Sequence, residues 1–244
     1  MSLLAHYLCN DSAANTVVAD SSGNGNNGTS AAHNTSTLST TGKIGTGFLL
    51  DGTSDYITGP ALSALAGSIT YAAWVYLTTV AGGGRYGLID CLNNSTYADG
   101  AALILDYSSV GVLGYYSSVT GWKAGPGGED SQVLLNAWNH IAISVDAVAG
   151  GVAYRNGSTL FSWSGVSAVV APTQGLRVGQ SYAGYLLKGK IDDVRVYNTA
   201  LTGAQIASIY NAGSGTEADY PWLAATLFRR QNRLRAGSRG ALVC

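Results

Sequence analysis

The stretch KGKIDDVRVYN, residues 188–198, reads as a β-strand carrying two adjacent carboxylates. Neighbouring side chains on a strand point to opposite faces. Strict alternation puts Asp192 with Val194 and Val196, and Asp193 with Ile191, Arg195 and Tyr197. Each face then holds an acid among apolar residues, so at least one carboxylate is expected against a core and needs a partner there. Arg195, two positions along the same face, is the simplest partner for Asp193.

The chain around this strand has the same character. Alternating or continuous apolar runs recur between clusters of Gly, Ser, Asn and Thr. They are Leu3–Leu8, Gly47–Leu50, Ile69–Leu77, Tyr86–Cys91, Ala101–Tyr107, Val110–Tyr116, Asn139–Val145, Val152–Asn156, Leu176–Gly179 and Lys190–Tyr197. In SITYAAWVYL, residues 68–77, both alternating sets are apolar enough to be covered. Many such strands in one chain predict two packed antiparallel sheets. One helix is expected, in TALTGAQIASIYNAG, with Thr202 as N-cap, Ile206, Ile209 and Tyr210 on one side, and Gly213 as the C-terminal stop.

Composition supports an all-β domain. Of 244 residues only 11% are charged, and Gly, Ser, Thr, Asn and Tyr fill the difference. There are two glutamates, Glu129 and Glu217, among 14 acidic residues. Residues 1–215 are mildly acidic, whereas residues 216–244 hold five arginines and two acids. Cys9, Cys91 and Cys244 are odd in number and far apart, which excludes a disulfide framework or a zinc motif. Free thiols are expected, although a Cys9–Cys91 pair remains open. MSLLAHYL lacks the basic and apolar regions of a signal peptide, and no stretch is long enough for a membrane span.

Several segments in order resemble the laminin-G-like, concanavalin-A-type jelly roll. They are LLAHYLCNDSAANTVVADSSGNGNNGT (3–29), GKIGTGFLLDGTSDYIT (42–58), SITYAAWVYLTT (68–79), WNHIAISVDAVAGGVAYRNG (138–157) and GKIDDVRVYNTALTGAQIASIYNAG (189–213). The resemblance implies a two-sheet antiparallel sandwich over residues 1–213 with one short C-terminal helix, and leaves residues 214–244 as a basic arm. It also implies a structural Ca2+ near the N-terminal loop, held by hard oxygens. Asp20 and Asp192 match the family's acidic positions, Asn24 lies in a turn that can add carbonyls, and Asp51 lies in the matching LDG turn. The competing reading makes Asp20, Asp51 and Asp55 turn residues that cap their own backbones.

Relatives of this fold that cleave β-glucans need two carboxyl groups flanking the scissile bond. The Glu-x-Asp-x-x-Glu motif they resemble is absent here, and Glu129 and Glu217 are far apart. Asp90, Asp99 and Asp106 are read as turn or surface acids. His6, His33 and His140 are isolated, with His140 read as a satisfied core or edge histidine. GGGRYG (82–87) fits Gly-x-Gly-x-x-Gly but lacks the flanking strand and helix of a dinucleotide site. The expectation is a protein without enzymatic activity.

Two non-catalytic roles follow. Sugar recognition uses aromatic faces with a few polar groups. Tyr97, Tyr115, Tyr116, Trp122, Tyr182 and Tyr185 fall in or beside loops and are the candidates for such a platform. The arm WLAATLFRRQNRLR offers apolar anchors followed by charges, with Trp222, Leu227, Phe228, Arg229, Arg230 and Arg233 expected to dock on an assembly partner. Contact of its arginines with nucleic acid is the weaker alternative. A sugar-binding domain with no secretion signal suggests a surface-exposed virion component, as on fibres, tails or decorated capsids of bacterial viruses, and a homo-oligomer. A secreted or cell-surface carbohydrate-binding module is the alternative, and a glycoside hydrolase a less favoured one.

Overall fold

The structure is a computed structural model that describes residues 2–79, 84–93, 98–106, 112–125 and 133–220. In chain order the strands are β1 (Leu3–Tyr7), β2 (Val17–Val18), β3 (Gly28–Ser30), β4 (Ser39–Thr41), β5 (Thr46–Asp51), β6 (Ile57–Thr58), β7 (Ile69–Tyr76) and β8 (Arg85–Asp90). They continue with β9 (Ala101–Asp106), β10 (Val112–Ser117), β11 (Gly121–Ala124), β12 (Trp138–Asp146), β13 (Gly150–Arg155), β14 (Ser158–Trp163), β15 (Arg177–Val178) and β16 (Lys188–Tyr197). Among the described residues the helices are α1 (Thr35–Leu38), α2 (Gly203–Tyr210) and a 3-10 turn at Asn211–Gly213.

The strands form an antiparallel jelly-roll sandwich. The first sheet runs β14-β13-β12-β7-β16-β5-β4, with β1 also paired to β16; the second runs β11-β10-β9-β8-β15-β6-β3-β2. Between them lies one core, to which the first sheet contributes Tyr71, Ala73, Val75, Ile141, Ile143, Ile191, Val194 and Val196. The second sheet answers with Leu88, Leu103, Leu105, Leu113 and Tyr115. Each large side chain so buried contributes about 1.5–3 kcal/mol.

The period-two reading of β16 fails at one residue. Asp192 pairs with Trp74 and Arg195 with Ala72, so three steps on β16 match two on β7. This is a β-bulge, and Asp193 within it takes the left-handed backbone region, with φ 49°. Ile191, not Asp192, therefore shares the core face with Val194 and Val196. Both aspartates are set on the outer face of the first sheet, on the same side as Arg195 and Tyr197.

That outer face is covered. Helix α2 lays Ile206 and Ile209 over Ala72, Ala142, Tyr154 and Tyr197. Its start is a capping box: the Thr202 side chain accepts from Gln205 N and the Gln205 side chain reaches back to the cap. Its C-cap is Asn211 in the left-handed region, two residues before the expected Gly213.

Beside the helix, residues 214–220 run back across the sheet rather than leaving it. Arg195 is fully buried. Its Nε and Nη2 donate to Asp193 at 2.9–3.2 Å, and its remaining donors reach the carbonyls of Ala218, at 2.8 Å, and Thr216. His6 sits between two carboxylates, with Nε2 2.7 Å from Asp193 and Nδ1 2.7 Å from Asp219. Tyr197 donates to the Asp219 carbonyl at 3.1 Å, and the Tyr220 hydroxyl accepts from Leu3 N at 2.8 Å. The sandwich body thus extends to Tyr220, beyond the boundary at residue 213 expected from sequence. Residues 221–244, with Trp222, Leu227, Phe228, Arg229, Arg230 and Arg233, lie outside the described residues.

Asp192 is held differently. Its Oδ2 accepts from Lys43 N at 2.7 Å and Ile44 N at 2.9 Å, which closes the turn between β4 and β5. Its Oδ1 is buried and meets no hydrogen-bond donor among the described residues. Burial pushes this carboxyl up to about 7, opposed by the two N–H groups and reinforced by the charge of Asp193. Asp193 moves the other way: despite its burial, Arg195 and His6 hold it below the usual carboxylate range.

Two outcomes are expected. A chain ending at Ser214 strips Arg195 of two acceptors and should lose roughly 3 kcal/mol of stability, whereas a chain ending at Tyr220 should melt with the full-length protein; urea unfolding of the two truncations measures this. The Asp192 carboxyl binds its proton more tightly folded than unfolded, so its contribution is present below pH 4 and lost as pH rises towards 7. Asp192→Asn keeps an acceptor for Lys43 and Ile44 and should be more stable than the parent by roughly 2 kcal/mol at pH 8, with the gap closing at pH 4. Parallel thermal melts across that range would show it.

Candidate ligand-binding face

The outer face of the second sheet is flat where two glycines allow it. Gly114 lies under the Trp122 ring, and a Cβ there would meet the ring at 2.1 Å. Gly87 lies under the loop after β15, and a Cβ there would meet Ser181 N at 2.0 Å. Across β9, β10 and β11, the register aligns Ala102, Tyr116 and Trp122 in one row. Arg85 and Asp106 face each other in another. The Arg85 Nε donates to Asp106 Oδ2 at 2.8 Å, and the guanidinium lies 5.1 Å from the centre of the Trp122 ring. An acid and an aromatic face thus hold one guanidinium in place.

Asp90 secures the loop that borders this face. Its Oδ2 accepts from Tyr182 N at 2.5 Å and its Oδ1 from Leu92 N at 2.6 Å. Burial pushes the carboxyl up to about 6 against those bonds and the nearby Arg177. The loop closes on itself through Ser181 N to the Tyr185 carbonyl at 3.0 Å, and Gly87 N reaches the same carbonyl at 3.3 Å. The Tyr182 ring ends 6.0 Å from Tyr116. Trp122 and Tyr185 are the exposed aromatic rings among the described residues, at 36% and 38%.

Of the six aromatic candidates, Tyr116, Trp122, Tyr182 and Tyr185 are gathered on or beside this face. Tyr115 is not: it points inward, fully buried, stacked on Trp163 at 6.0 Å, with burial pushing its hydroxyl up to about 12. Alternation predicts this, since Tyr115 and Tyr116 are neighbours on one strand. Tyr97 lies outside the described residues. Arg85 was missed by sequence reasoning, because its partners Asp106 and Trp122 are remote in the chain. Asp90 and Asp106, read as turn or surface acids, are buried strand residues, and Asp99 is buried as well.

The four residues matched to a calcium site do not form one group. Asp20 accepts from His6 N, Ser22 N and Asn26 N, and Asn24 donates to the carbonyls of Leu3 and Leu4. Asp51 caps the next turn, accepting from the N–H groups of Thr53, Ser54 and Asp55 and from two hydroxyls. Asp192 serves the turn at Lys43. The turn-capping reading therefore accounts for Asp20 and Asp51, and the arrangement does not fit a calcium cage. Among the described residues, one group of three brings its ligand atoms within 4.8 Å of one another: His33, Asp51 and Asp55. There the His33 Nδ1 is 2.7 Å from Asp55, which raises the imidazole above its ordinary range.

The other histidines are structural. His140 is buried, packed edge-on to Trp74 at 5.2 Å, and neither ring nitrogen has a hydrogen-bond partner among the described residues. It is thus a core histidine but not a satisfied one, and burial pushes it down to about 4. Cys9 and Cys91 are buried free thiols. No helix among the described residues is long and apolar enough to cross a membrane.

Comparison with known proteins concerns the fold as a whole. Domain 4 of AbnA, an extracellular GH43 arabinanase from Geobacillus stearothermophilus solved in complex with arabinotriose, superposes with TM-score 0.63 at 25% identity, over 84% of this chain and 97% of that domain. The binding domain of Paraclostridial Mosquitocidal Protein 1 superposes with TM-score 0.63 at 15% identity, over 87% of this chain and 52% of the other. The receptor-binding domain of botulinum neurotoxin D gives TM-score 0.64 at 15% identity, over 87% and 53%. At that identity the toxin domains share the fold alone, and this chain spans about half of each. No curated protein matches the sequence. The family model of the concanavalin A-like lectin/glucanases superfamily matches residues 51–207, well over half of the chain. Lectin-like jelly-roll architecture and family model agree, and the protein belongs to the concanavalin A-like lectin/glucanases superfamily.

Proposed function

We propose that the protein is a non-catalytic glycan-binding module that takes an oligosaccharide across the outer face of its second sheet. The observation that carries this reading is the Trp122 ring set against a guanidinium fixed by Asp106, with Tyr116 beside Trp122 in register and Tyr182 next to Tyr116. A sugar ring offers C–H groups to an aromatic face and hydroxyls to charged neighbours, and this surface provides both. The likeness to an arabinanase domain solved with arabinotriose supports it.

The acids near this face argue against glycosidase chemistry. Such an enzyme needs two carboxyl groups free to flank a bond. Asp106 is tied to Arg85, and Asp90 lies beneath the Tyr182 loop. Glu217 accepts from Asn10 at the far sheet, and Glu129 lies outside the described residues.

The sequence beyond Tyr220 supports a further part of the proposal. Its apolar anchors and arginines suit attachment to a larger assembly, such as the particle of a bacterial virus, with the module exposed.

Titration calorimetry with arabinotriose, beside a glycan array, tests the binding face. Trp122→Ala should lower affinity about tenfold or more while leaving Tm within about 2 °C, because the ring is partly exposed. Absence of binding to any glycan, or unchanged affinity in Trp122→Ala, would overturn the reading.

A further inference from the structure

Next to the aromatic platform lies an open cleft of about 440 Å³, walled by Arg85, Tyr86, Tyr185 and Lys188 with Thr79 and Gly52. Two of these side chains are cationic, and no carboxylate is in the wall. Arg85 belongs to both surfaces. Its Nε is held by Asp106 and its plane by Trp122, while its Nη groups make no hydrogen bond with the described residues.

Lys188, unlike Arg85, has no ion-pair partner among the described residues. In the register of β16 and β5 it stands opposite Asp51. The Asp51 carboxylate, however, is filled by the donors of Thr53, Ser54 and Asp55. The Lys188 stem rests on Gly52, where a Cβ would meet it at 2.6 Å. Tyr185 presents an exposed ring over the same cleft, its backbone pinned to Gly87.

We infer that this cleft selects a carboxylate-bearing sugar residue, a uronic or sialic acid, at the unit next to the one stacked on Trp122. The inference rests on the glycan-binding reading and specifies its ligand class. A planar carboxylate matches the two free Nη groups of a guanidinium whose orientation is already set. Lys188 adds a second positive charge, and Tyr185 offers a face for the ring. Neutral sugars would use the platform without drawing on the two charges.

The test compares matched acidic and neutral probes on the full chain by titration calorimetry. Trigalacturonate is set against its methyl ester, and 3′-sialyllactose against lactose, so that the two sources of the carboxylate are told apart. One acidic probe should bind at least about fivefold more tightly than its neutral partner at low salt, and the preference should fade in 0.5 M NaCl, with about 0.5 M exceeding what surface charges can act through. Lys188→Gln, an exposed substitution, should reduce that preference several-fold and leave neutral-probe affinity unchanged. Equal affinity within both pairs, or a preference unaffected by Lys188→Gln, overturns the inference and leaves glycan binding standing. No binding by any of the four probes or by the glycan array overturns both.

Discussion

The ion pair between Asp193 and Arg195 lies fully buried on the outer side of a sheet, and much of the structure is arranged to satisfy it. A charge removed from water at such a place is tolerated only if its other donors and acceptors are met. Asp193 takes His6 from β1, and Arg195 takes carbonyls from the segment ending at Tyr220. Both ends of the described chain are therefore tied to the central strand β16. The bulge brings Asp192 to that outer side as well. Strict alternation would leave its carboxylate on the core face with Val194 and Val196.

Closing one face in this way leaves the other for the proposed binding role. The first sheet spends its outer surface on α2 and the returning segment. The outer surface of the second sheet carries Trp122 and Tyr185, the exposed aromatic rings among the described residues. Its rigidity comes from the scaffold: Gly87 and Gly114 let a loop and a ring lie close to the strands, and Asp90 anchors the loop from below. If it binds a ligand as proposed, a surface mounted on strands and held by buried bonds has little ordering left to do.

Much of this was legible in residue order. The long strands were, because apolar alternation is local. The strand β14 was missed, although Asn156–Gly157 is a strong hairpin signal and both residues adopt the positive φ such a turn needs. β11 carried no apolar alternation and exists through its pairing with β10. The acids misread as surface groups, Asp90 and Asp106, owe their burial to partners in other strands. The same holds for the calcium expectation: Asp20, Asp51 and Asp192 match a pattern along the chain, but the fold sends each to a different turn.

What the sequence by itself determined was a two-sheet sandwich, a capped helix starting at Thr202, a partnership of Asp193 with Arg195, and the absence of a glucanase motif. These depend on residues within a few positions of one another, where period and turn chemistry act. Tertiary structure alone decided the bulge that puts both aspartates on one side, the arrival of His6 from 187 residues away, and which aromatic rings face water. Register between strands is set by the packing of whole sheets, and a one-residue shift reverses every side chain beyond it. In the strand 188–198 that single extra residue is what separates a charge in the core from a clasp on its outer surface.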